Sequence, residues 1–127
     1  LRRGTTFYTV SAGSLMCCER IIVYNDFEHE REFQLYDRGF GLIRELQLFP
    51  HCMDRIQTDD ADNLTYLSHR FRHRVCVGLN QESFLEVKFS PEIRATSLGT
   101  RDGVYVFDRN GNKDRYDAGE TILPRCE

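Results

Sequence analysis

Residues 7–18, FYTVSAGSLMCC, constrain the fold more than any other stretch. β-Branched and aromatic residues give way at Ser11-Ala12-Gly13 to the small apolar residues of a buried helix. Thr5 to Val10 reads as a strand and Ala12 to about Arg20 as a helix. The turn between them is sharp, and it leaves a serine at the strand end.

The rest of the chain extends this start. From Ile21 to Leu42 the pattern dissolves into charged and aromatic residues with Gly39 and Gly41, which reads as a long loop with fragments of structure. Glu45 to Phe49 alternates as a strand and stops at Pro50, which has no N–H for a ladder bond. Asp59 or Asp60 can cap a helix with Leu64, Leu67 and Phe71 at helical spacing and Arg70, Arg72, His73 and Arg74 at its end. Val75 to Leu79 (VCVGL) is a continuous apolar run, the mark of a central strand covered on both faces. Four short strands follow, at Phe84–Phe89, Ile93–Leu98, Gly103–Asp108 and Lys113–Tyr116, separated by Ser90-Pro91 and Asn110-Gly111. The order β-α-loop-β-α-β with a β tail predicts an α/β sheet with an antiparallel edge. A doubly wound sheet needs about five parallel strands, and this order supplies three candidates.

Composition narrows the partners. At 127 residues and 40% hydrophobic content the chain supports one domain with one core. A net charge of −3 makes no case for nucleic acid or an anionic membrane surface, both of which require a concentrated positive face. No apolar stretch approaches the roughly 20 residues of a transmembrane helix. Five cysteines without a CxxC fit reduced thiols, so the expected compartment is the cytoplasm.

Two readings of Ser11 stand side by side. As an N-cap, its oxygen satisfies helix amides. As a nucleophile elbow, it projects above the carboxyl edge of the sheet, where an amide stabilises an oxyanion. Ala12 and Gly13 are small enough for the elbow, whereas Thr9 stands where G-x-S-x-G has glycine. A serine nucleophile needs a base, and histidine is the first candidate. His29 falls in the charged stretch. His69 and His73 fall on an arginine-rich helix end, with the i, i+4 spacing of a zinc pair but no third ligand. His51 follows a strand that can lie beside the serine strand, so both emerge at one sheet edge.

V-S-A-G-S with its helix, Asn25-Asp26, Gly39-Phe40-Gly41-Leu42-Ile43, Pro50-His51 and Gly78-Leu79-Asn80-Gln81-Glu82-Ser83 together resemble the peptidase E and cyanophycinase family of serine peptidases. The resemblance runs in order along nearly the whole chain. It implies Ser11 as nucleophile, His51 as base, and Asp26 as third member by the peptidase E pattern. The cyanophycinase pattern implies a glutamate near the later strand instead. In register, Asn80 and Gln81 stand where two acids are expected, and Glu82 falls one place late. The resemblance further implies the Ala12 amide as an oxyanion donor and a basic residue, Arg55, for a substrate carboxylate.

The implied fold is the second half of a flavodoxin-like, class I glutamine amidotransferase-like three-layer sandwich with an antiparallel β tail. Residues 1–127 would then be one domain lacking its N-terminal half, completed by a second chain or a homo-oligomer. The implied activity is hydrolysis of peptide bonds next to acidic, aspartyl residues, with no metal or organic cofactor. The alternative is a noncatalytic relative acting as a binding or structural domain.

Overall fold

The VCVGL run is the axis of the molecule. In the computed structural model, which describes residues 4–24, 33–89, 92–99 and 101–122, Val75–Leu79 forms β4, with Cys76 and Val77 almost fully buried. It lies between β3 (Leu46–Pro50) and β7 (Val104–Phe107), and β8 (Lys113–Tyr116) completes a four-stranded sheet in the order β3-β4-β7-β8. β3 and β4 run parallel, from Leu46 opposite Val75 to Pro50 opposite Leu79. β7 is antiparallel to both β4 and β8.

Strand alternation sorts the core into two faces. Phe49, Cys76 and Phe107 point to one side, where α2 (Cys52–Arg55) and α3 (Ala61–Arg70) cover them with Cys52, Ile56, Leu64, Leu67 and Phe71. Leu46, Leu48, Val77, Val104 and Val106 point to the other. There the covering layer is a small antiparallel sheet of β5 (Leu85–Lys88), β6 (Arg94–Ser97) and β9 (Thr121–Ile122), which contributes Ala95 and Ile122. The result is a mixed α/β fold in which, among the described residues, that second core is closed by the small sheet together with Cys17, Cys18 and Ile43.

The helix over residues 61–70 forms for the reasons its sequence gives. Asp60 is the N-cap, its carboxylate accepting from the Asp62 and Asn63 amides, an arrangement that stabilises a helix by about 1 kcal/mol. Leu64, Leu67 and Phe71 are buried as their spacing requires.

Three elements depart from the sequence reading. The first is the expected strand at Thr5–Val10, which forms no ladder, and Phe7, Tyr8 and Val10 are exposed. Strand composition needs a neighbouring strand to pair with, and among the described residues none lies beside it. The helix expected to reach about Arg20 ends sooner: α1 spans Ala12–Cys17, and Cys18 is extended. Its last carbonyls are taken by another segment, with Phe40 N–H donating to Met16 and the Leu42 and Ile43 amides to Cys17. Gly39 permits this approach, since a Cβ there would lie 2.2 Å from the Cys18 carbonyl oxygen.

The third departure lies in the stretch read as a loop, which holds an antiparallel pair, β1 (Arg20–Tyr24) and β2 (Phe33–Arg38). Ile22 is its buried anchor, while Val23, Leu35 and Tyr36 are exposed, so the alternation that marks a half-buried strand is faint. The expected Asp26 and His29 lie outside the described residues.

Glu19, between α1 and β1, is tied to the start of β4 by the Arg74 guanidinium, which donates to its carboxylate. That hydrogen bond, with the cation's charge, holds Glu19 below the ordinary carboxylate value of 4.5. A depressed carboxylate contributes stability above its unfolded value and loses it as pH falls through the folded one. Glu19→Gln is therefore expected to lower the thermal midpoint at neutral pH, with the gap to the parent closing below about pH 4.5. Midpoints followed by circular dichroism from pH 7 to pH 3 check this; a gap independent of pH would exclude the ion pair as its source.

Candidate active site

Ser11 occupies a backbone conformation that few residues other than glycine adopt, with φ 50° and ψ −120°. The Gly13 amide donates to the Val10 carbonyl at 2.9 Å, so Val10–Gly13 is a tight turn with Ser11 at its first central position. The Ser14 amide then donates to the Ser11 carbonyl and opens α1. Ser11 thus stands at the N-cap, yet its hydroxyl caps nothing. It lies instead 3.0 Å from His51 Nε2. Thr9 lies beside the start of α1, its Oγ1 3.4 Å from Ser14 Oγ.

His51 is the counterpart. β3 ends at Pro50, and the chain enters the left-handed region at His51, φ 53° and ψ 39°, before turning into α2. His51 also sits at an N-cap without capping through its side chain. Both of the residues that make the contact are therefore held at strained corners, each costing of order 1–3 kcal/mol that the surrounding core must offset.

β4 supports the His51 corner. A Cβ on Gly78 would come within 2.7 Å of both Cys52 Sγ and the Phe107 ring, so glycine is what lets Cys52 seat against the sheet. One residue past β4, Asn80 Oδ1 accepts from the Met53 amide at 3.1 Å and from the Cys52 thiol at 3.0 Å. Burial pushes the Cys52 thiol up to about 12, so it is protonated at neutral pH and is no thiolate nucleophile. The side-chain oxygen that meets the imidazole at this edge is that of Ser11.

The remaining candidates are placed as follows. Ala12 is the first residue of α1. The Gly13 and Ser14 amides are committed to the turn, and among the described residues nothing accepts from the Ala12 amide. Arg55 closes the single turn of α2, its amide donating to the His51 carbonyl at 2.9 Å, and its side chain is half-buried and engaged. Glu82 lies in the turn after β4 at φ 60°, its carboxylate paired with Arg101 at 3.8 Å and not with His51. His69, near the end of α3, and His73, in the turn after it, are exposed, and no cluster of three metal-ligating side chains occurs among the described residues. Neither α2, four residues long, nor the Asn80 contact was legible from the sequence, because a single turn has no periodicity and the partner is 27 positions away.

No family model and no curated protein matches the chain. Among solved structures it is similar to the crystal structure of a peptidase from an acI-B1 Actinobacterium, with 19% sequence identity over 87% of this chain and a TM-score of 0.52. At that identity the likeness concerns the fold alone, a mixed α/β fold similar to part of that peptidase. The chain spans 42% of the length of that peptidase. No helix among the described residues is long and apolar enough to cross a membrane.

Burial predicts the behaviour of the thiols at this edge. Cys52 and Cys76, both pushed up to about 12, should resist iodoacetamide in the native protein at pH 8 and react after unfolding. Peptide mass mapping before and after denaturant reads this directly, and rapid native labelling of Cys52 would contradict the closed seat against Gly78.

Proposed function

We propose that this chain is the nucleophile-bearing part of a serine peptidase resembling peptidase E and cyanophycinase, hydrolysing peptide bonds next to acidic residues. The observation that carries this reading is the 3.0 Å contact between Ser11 Oγ and His51 Nε2 across two strained corners.

In the proposed reaction His51 accepts the Ser11 hydroxyl proton as Oγ attacks the scissile carbonyl carbon. The Ala12 amide donates to the resulting oxyanion; one such donor accounts for roughly 10²- to 10³-fold in rate. His51 then protonates the leaving amine, the C–N bond breaks, and water hydrolyses the acyl-serine by the reverse proton path. Arg55, one helical turn from His51, is the proposed partner of the substrate carboxylate. Asp26 is the proposed orienter of the imidazole, and the Glu82–Arg101 pair is the reason to prefer it.

We extend the proposal to the architecture. The sheet belongs to a flavodoxin-like assembly in which a further strand, from a second chain or another part of the protein, pairs with Thr5–Val10 and supplies the second oxyanion donor. The proposed setting is the cytoplasm. The rival reading, a noncatalytic binding or structural relative, is favoured by the absence of a carboxylate on His51 among the described residues.

A fluorophosphonate probe separates the two. Covalent labelling of Ser11, abolished in Ser11→Ala and reduced by at least 10³-fold in His51→Ala, is expected of the peptidase. Absence of labelling with a strand supplied beside Thr5–Val10 would leave the binding reading standing. The third member is tested in the labelling-competent protein, where Asp26→Asn should slow the reaction by about 10³- to 10⁴-fold and Glu82→Gln by less than about threefold. The opposite ranking would assign the role to Glu82.

A further inference from the structure

We infer that Asn80 is the positioning residue of the Ser11–His51 pair: its side-chain carbonyl caps α2 in place of His51 and so frees the imidazole for Ser11. The inference rests on the proposed pairing and deepens it.

A residue at an N-cap normally turns its own side chain back to accept from the amides of the first turn. His51 makes no side-chain cap, and its Nε2 lies 3.0 Å from Ser11 Oγ instead. The vacant acceptor role is filled from another strand, where Asn80 Oδ1 bonds Met53, the second residue of α2, and Cys52, the first. These are the two residues directly after His51, so the contact fixes the direction in which the chain leaves the left-handed corner.

Asn80 is itself fixed. Its amide donates to Ser83 Oγ at 2.7 Å, the Ser83 hydroxyl donates back to its carbonyl at 3.0 Å, and the preceding Leu79 is in register with Pro50. The chain of support runs from β4 through Asn80 to α2 and the His51 backbone. Asn80 touches neither Ser11 nor the imidazole among the contacts found. An acceptor is needed and a charge is not, since both partners are donors. Aspartate should therefore substitute, and alanine should not.

The test compares the full chain with Asn80→Ala, Asn80→Asp and Ser11→Ala, using ¹⁵N-histidine NMR of the His51 ring, fluorophosphonate labelling rates and cooperative thermal unfolding. In Asn80→Ala the His51 ring signals should move to those of Ser11→Ala, and labelling should fall at least tenfold. In Asn80→Asp both should remain near the parent, with labelling within threefold. Asn80→Ala with parental ring signals, or Asn80→Asp displaced as far as Ser11→Ala, overturns the inference. If Asn80→Ala does not fold, the aspartate variant decides alone: parental ring signals support the cap, and displaced ones refute it. A parent chain that does not label even with a strand supplied beside Thr5–Val10 refutes the peptidase reading, while the ring signals still decide the role of Asn80.

Discussion

The parallel pairing of β3 with β4 is the constraint on which the candidate site depends. In register from Leu46–Val75 to Pro50–Leu79, the two strands end together, so His51 and Asn80 each lie one residue past the same edge. Side-chain direction alternates along a strand, and a slip of one residue would turn Phe49 and Cys76 out of the helix-covered core. Such a slip would also take Gly78 away from Cys52, where any larger residue would meet the thiol. Register, core and site are thus fixed by one ladder.

Much of this frame was legible in the sequence, and the parts that were share a cause. VCVGL, the Asp60-capped helix and the break at Ser11 are each decided within a few residues by burial, capping or periodicity, and each is found where its pattern places it. His51 was singled out by Pro50, whose missing N–H ends the ladder. The elements that were not legible are those decided at long range. The β1–β2 pair rests on Ile22 with little other burial, so its period is masked by exposed Val23 and Tyr36. Helix α1 is cut short by amides of residues 40, 42 and 43, which nothing in residues 12–20 announces. At Thr5–Val10 the composition is that of a strand, but no strand among the described residues pairs with it, so propensity alone forms no ladder.

Ser11 also shows what a structure adds to readings that a sequence leaves open. Position and composition suited a capping serine, and also an elbow with Thr9 in place of its first glycine. A capping serine has extended backbone angles and gives its oxygen to the amides of the following turn. Ser11 has a positive φ and gives its oxygen to an imidazole 40 residues away. Ordinary capping would have been the stabilising choice for a six-residue helix that cannot persist alone.

The same sacrifice occurs twice at one edge, and the two instances are supported unequally. Both Ser11 and His51 stand at N-caps in positive-φ conformations with their side chains turned away from the helices they begin. Loss of a cap costs about 1 kcal/mol and each strained residue a further 1–3, so two uncapped corners would weigh heavily on a domain of marginal stability. At His51 the loss is offset by Asn80, by the closed seat of Cys52 against Gly78, and by a parallel strand on the flank. At Ser11 the offset comes from Leu15 and Cys17 in the core and from the carbonyls that bind residues 40–43, all on the far side of the helix from the elbow. The segment leading into Ser11 has no ladder among the described residues, so the imidazole is held from both sides and the hydroxyl mainly from one. A strand paired with Thr5–Val10 would remove that asymmetry by fixing the approach to the turn, which makes the precision of the Ser11–His51 contact depend on what lies beside that segment.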